Sequence, residues 1–116
     1  MQSSSEKWPE ALDALTASQQ HHKLLFENDL VRVIDACIRP GEMTAVHTHQ
    51  WPACLYIISW SDFIRYDAYG NVMLDSRKLD KTFSPSTAMW SEPLAPHALK
   101  NIGVNDLNVI CVEIKN

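Results

Sequence analysis

Apolar residues follow two different periods along the chain. Through the first twenty-odd residues Trp8, Leu12 and Leu15 recur at helical spacing in Ala-rich sequence, and Pro9 suits a first helical turn. The pattern predicts a short amphipathic helix over about residues 9 to 20, within a helical extension spanning 1–22. His21 and His22 close that segment and are read as its solvated end, where polar or positive side chains suit the free carbonyls. From Lys23 onward short β-rich segments are broken by turn residues at intervals of about ten, the pattern of an all-β sandwich or barrel. Strands are expected over 30–38, 44–49, 53–59, 62–68, 71–74, 81–84, 87–90, 97–101 and 107–114, with turns at Tyr69-Gly70-Asn71 and from Gly103 to Asp106. The last strand is nearly continuous in apolar residues, which suits burial on both faces, one in the barrel and the other against a second subunit. A homodimer is therefore expected.

Composition narrows the picture to one compact domain, 23–116, with the extension before it: 116 residues, 46% hydrophobic, 21% charged, formal net charge −4. An acidic balance without a Lys/Arg cluster argues against nucleic-acid and membrane-surface partners, since phosphate binding needs a basic face. No apolar run reaches membrane-spanning length, and the segment from Met1 to Glu6 lacks the basic and apolar regions of a signal peptide, so a cytoplasmic location is expected. Cys37, Cys54 and Cys111 are odd in number, widely separated and inside apolar runs, and read as buried small hydrophobes in a reducing compartment. Cys54 alone sits near candidate ligands.

Those ligands are histidines. His47 and His49, two residues apart on an expected strand, project from one face and can grip one metal ion; His97 supplies a third nitrogen if its strand lies alongside. Three neutral imidazoles with open positions describe a reactive site, not a closed structural one. His-Glu-x-x-His is absent, and five histidines are too few for a copper–zinc dismutase pair of metals. Trp51, Trp90, Met89 and Met43 lie close to these strands, with Trp51 the first choice for a residue touching a ligand. Tyr56, Tyr66 and Glu92 are the polar candidates for acid or base work.

Gly41, five residues, then His47-Thr48-His49, followed by the strand Leu55-Tyr-Ile-Ile58 and, about fifty residues on, His97-Ala-Leu-Lys-Asn101, together resemble the two motifs of the cupin superfamily, specifically its small single-domain members. The resemblance covers about residues 24 to 115 and departs in three places. The family's glutamate falls on Ala53, its Pro-x-Gly is replaced by Glu92-Pro93-Leu94-Ala95-Pro96, and Trp60 stands where the first motif ends in glycine. The resemblance implies an all-β double-stranded β-helix, or jelly-roll barrel. It also implies one divalent transition metal on His47, His49 and His97, with Trp51, Ala53, Tyr56, Trp90 and Asn101 around the ligand pocket. Iron suits imidazoles with open sites, while manganese, nickel, zinc and copper also accept three histidines. Because imidazoles add no negative charge, the ion would attract a small anionic molecule. Oxygenase-type chemistry is the leading expectation, with a metal-dependent lyase or isomerase, or a non-catalytic sensor or accessory protein, as alternatives.

Overall fold

The computed structural model describes residues 8–80 and 83–115. Nine strands fill it: β1 His22–Glu27, β2 Val31–Ile38, β3 His47–His49, β4 Ala53–Ser59, β5 Phe63–Asp67, β6 Val72–Asp75, β7 Ala88–Ser91, β8 Leu94–Asn101 and β9 Leu107–Ile114. They form a five-stranded sheet, β1-β2-β9-β4-β7, and a four-stranded sheet, β3-β8-β5-β6, with every strand pair antiparallel. Apart from the consecutive pairs β1–β2 and β5–β6, neighbours in each sheet are distant in sequence, which is the jelly-roll way of covering two hydrophobic faces with one chain.

Register decides which side chains meet. Across the larger sheet Ile34, Cys111, Leu55 and Met89 form one row facing the four-stranded sheet. Arg32, Glu113, Ala53 and Ser91 form the next row on that face. The rows between them point outward: Phe26, Val33, Val112, Cys54 and Trp90 run across all five strands. Alternation along a strand is the whole cause. At one end of the interior Ile38, Phe63 and Leu107 form the apolar core, with Trp60, Leu74, Leu99 and Val109 packed on it.

That end is closed by Asn101, which is completely buried and fully hydrogen-bonded. Its amide donates to the carbonyls of Ile38 and Asn105, both at 2.8 Å, and its oxygen accepts from Ser61 Oγ (2.7 Å) and from the Gly103 N–H (2.9 Å). Gly103 must be glycine, because a Cβ there would lie 2.1 Å from Ser61 Oγ. Asn101 is thus a staple of the turn before β9, not a pocket residue.

The N-terminal segment departs from the expected helix. A 3-10 turn over Glu10–Leu12 and a four-residue helix α1, Ala14–Ala17, are separated by Asp13 in extended conformation, whose carboxylate caps α1 by accepting from the Leu15 N–H. The chain then enters β1, an edge strand that the sequence pattern missed; its first residue is His22, at the expected domain boundary. His21 and His22 are both buried, so the expectation of a solvated helix end is wrong: the chain passes from α1 straight under the sheet edge. The strand expected at 81–84 falls partly outside the described residues, and Phe83 and Ser84 are not in a strand. No described helix is long and apolar enough to cross a membrane.

Candidate metal centre

β3 is only three residues long, and both of its histidines face the interior beside β8, where His47 is the register partner of His97. β1 brings His22 to the same place from the opposite sheet. The donor nitrogens of His22, His47 and His49 lie within 4.8 Å of one another, and this group could hold a metal ion. His97 packs against its other side, 4.4 Å from His47 and 5.8 Å from His49 between ring centroids. His47 and His49 therefore sit between His22 and His97.

The rings are oriented by hydrogen bonds that point away from the cluster. The Nδ1–H of His22 donates to the Ser18 carbonyl (3.0 Å), that of His47 to Ala45 (2.8 Å), that of His97 to Ala95 (2.7 Å), and that of His49 to the Glu113 carboxylate (2.9 Å). Every acceptor lacks a proton to give, so each imidazole carries a proton on Nδ1 and leaves Nε2 as the atom free to face a ligand. Outer partners of this kind orient metal-binding histidines and raise their basicity. Burial followed by repulsion from the neighbouring imidazoles lowers the pKa of His22 to about 3 and that of His97 to about 2; burial followed by His49 lowers that of His47 to about 4. These three rings are neutral at physiological pH, the state in which imidazole ligates.

Behind His49 lies a buried charge network. Glu113, completely buried, accepts from His49 with one oxygen and from Arg32 Nε with the other (2.7 Å). Arg32 turns its other two nitrogens to Asp13, at 2.8 and 3.0 Å. Burial works against the Arg32 charge, yet Asp13 and Glu113 outweigh it and raise its pKa. The guanidinium also lies 5.0 Å from the Trp51 ring, a cation–π contact that covers the network. Asp13 therefore caps α1, neutralises Arg32 and ties the N-terminal segment to the centre.

A cavity of about 130 Å³ opens from the histidines toward the apolar core. Trp51 and Ala53, both expected there, line it together with Leu55, Ile57 and Met89. Tyr56 and Trp90 do not: strand alternation turns them to the outer face, where they are 41% and 55% exposed. Cys54 shares that face and is exposed, which corrects its expected burial and keeps it from the centre. Cys111 does face the cavity, and burial pushes its thiol up to about 12, so it is present as an uncharged thiol. Met43 is 47% exposed and outside the cavity lining.

His22 is the residue sequence reasoning missed. Two adjacent histidines make poor joint ligands, but on a strand they point to opposite faces and only one needs to ligate. His21 turns away toward the Glu42 carboxylate, 3.4 Å distant. Recognising β1 as a strand was the missing step.

No protein-family model matches the sequence, and no curated protein is significantly similar to it. Solved structures are. A cupin domain from Bordetella pertussis Tohama I superposes with a TM-score of 0.64 at 16% identity, over 82% of this chain and 92% of that one. An RmlC-like cupin with a double-stranded β-helix fold from Methanocaldococcus jannaschii gives 0.57 at 13% identity, over 81% and 78%. A predicted oxalate decarboxylase from Thermotoga maritima gives 0.51 at 17%, over 82% and 79%. At these identities the likeness is one of fold.

Proposed function

With the double-stranded β-helix of the cupins as its frame, we propose that this protein is a metal-dependent enzyme of the oxygenase type acting on a small anionic molecule. The observation that carries this reading is the group His22, His47 and His49, whose donor nitrogens lie within 4.8 Å of one another while each ring is held from outside through its Nδ1. His47 and His49 are the shared ligands, His22 completes the three-nitrogen group, and His97 supplies the fourth imidazole. Iron(II) suits such a shell, and when bound it supplies open coordination positions for an anionic substrate and for dioxygen.

The remaining residues favour oxygenase chemistry over a lyase or isomerase. Proton transfer by the protein needs an acid or base within reach of the substrate, and Tyr56, Tyr66 and Glu92 are all absent from the cavity wall. Glu92 instead accepts from the Trp90 indole on the exposed side. Ala53, where the cupin motif has glutamate, leaves room and adds no charge, so the centre keeps its pull on an anion.

Two measurements test this. Elemental analysis of untagged protein should find about one divalent transition metal per chain, and His47→Ala with His49→Ala should reduce it to background. Iron(II)-loaded protein offered β-diketones, thiols and small carboxylates in air should consume oxygen with at least one class. Metal binding and thermal stabilisation by these compounds without oxygen uptake would replace the enzyme reading with that of a non-catalytic binder or sensor.

A further inference from the structure

Arg65 is a half-buried cation that the fold leaves without a counter-ion among the described residues. It follows Phe63 on the inward face of β5 and lines the cavity, with Leu99 and Leu74 as its cross-strand partners. Its Nε is buried and has no hydrogen-bond partner, and no acidic side chain among the described residues pairs with its guanidinium. The contrast with Arg32, which two carboxylates hold through three nitrogens, is complete. Burial disfavours the Arg65 charge, and that charge is near enough to His97 to help keep its imidazole neutral.

A guanidinium with its Nε buried and unpartnered in an apolar wall is costly, because the desolvation of that side is not repaid by any partner. The arrangement is stable in use when the partner arrives with the ligand. The fork of Arg matches a carboxylate with two parallel hydrogen bonds. Resting on the metal-centre reading above, we propose that Arg65 is the carboxylate anchor of this cavity and that the ligand is a small carboxylic acid carrying a second oxygen or sulfur donor, which faces the histidines. The ligand's carbon skeleton then lies against the apolar wall formed by Leu55, Ile57, Leu99 and Met89. An anion without a carboxylate would satisfy the metal alone and leave Arg65 unpaired.

The test is a matched pair of probes, lactate and lactamide, titrated by calorimetry into zinc-loaded protein, zinc being redox-inert. Lactate should bind about tenfold or more tightly than lactamide, the gain expected of a charge-assisted bidentate pair. Arg65→Gln should abolish that preference, lactate affinity falling to the level of lactamide, while leaving zinc content unchanged. Arg65→Met should raise the melting temperature of ligand-free protein, since it removes an unpaired buried charge and keeps the packing; a lower melting temperature would mean that the guanidinium already has a stabilising role and would overturn the proposal. A preference for lactate that survived Arg65→Gln would also overturn it, as would equal binding of the two probes by wild-type protein. Failure of the metal-centre reading looks different: zinc would not bind, yet the acid would still be preferred over the amide in an Arg65-dependent way.

Discussion

The two ends of the barrel interior are built on the same strands from opposite chemistry. Along β9 the inward side chains run Leu107, Val109, Cys111, Glu113, and along its antiparallel neighbour β2 they run Arg32, Ile34, Ala36, Ile38, so both strands connect a hydrocarbon end of the interior to a charged one. The apolar end repays folding directly, at about 1.5–3 kcal/mol for each large side chain buried. The polar end does not. Its Arg32–Glu113 and Arg32–Asp13 pairs must first recover the desolvation of three charged groups, of order several kcal/mol per ion. The four buried or half-buried imidazoles, each held through Nδ1, add nothing that folding needs. Stability resides at one end, and the capacity to bind resides at the other.

Phe63→Ala should make the largest difference and should break only the apolar end. A cavity in the cluster of Ile38, Phe63 and Leu107 should cost about 3–5 kcal/mol in urea unfolding, with metal affinity of the folded fraction unchanged. Glu113→Gln should cost about 3 kcal/mol, since Arg32 keeps only Asp13 as a charged partner, and should also weaken metal binding by about 10- to 100-fold through the lost hold on His49. If Phe63→Ala weakened metal binding as much as Glu113→Gln, the two ends would be one cooperative unit and the division drawn above would fail.

What the chain disclosed in advance follows the same division. The strands β2, β4 and β9 and the inward-facing pair His47 and His49 were legible because strand patterning and burial share one cause. The last strand, read as apolar on both faces, instead ends its inward row on the buried Glu113. Tyr56 and Trp90 were misplaced because proximity in sequence to a motif says nothing of face; counting alternation from Ala53 places Tyr56, and the β4–β7 register places Trp90. Glu113, Arg32, Asp13 and His22 escaped notice because their meaning is created by contacts between residues up to 81 positions apart. Nothing local marks Glu113 as a partner of His49. The missing motif carboxylate at Ala53 has a counterpart all the same, since Glu113 is the register partner of Ala53 on β9 and acts one bond removed, on the back of His49.

Ala53→Glu sharpens this point with a smaller effect. The new carboxylate would sit beside Glu113 on the inner face, so metal-free protein should melt at a lower temperature through buried like-charge repulsion. Metal should restore the loss and bind about tenfold more tightly, because an anionic ligand joins the imidazoles. Affinity for small anions should fall. Cys54→Ser, one residue away on the outer face, should leave metal binding unchanged. An Ala53→Glu protein destabilised equally with and without metal would show that position 53 does not reach the centre.

The smallest effect on the interior is expected from its exterior. Phe26, Tyr56, Ile58 and Trp90 are exposed apolar side chains on the larger sheet, 55%, 41%, 46% and 55% accessible, and β9 runs through the middle of that sheet. Such a face suits the homodimer expected from the apolar last strand, because a two-fold axis lets one patch cover its own copy. Light scattering at micromolar concentration should give twice the chain mass, and Tyr56→Lys combined with Trp90→Lys should halve it by placing like charges at the centre of the contact. Metal content should not change, because neither side chain reaches the cavity. A wild-type monomer would remove the dimer from the reading and leave the outer row as solvent-exposed surface. A dimer that persisted in the double variant would move the contact to the β1 edge, where Leu24 and Leu25 are also exposed and His22 begins the strand; metal loading and association would then be coupled, and dilution would lower metal affinity.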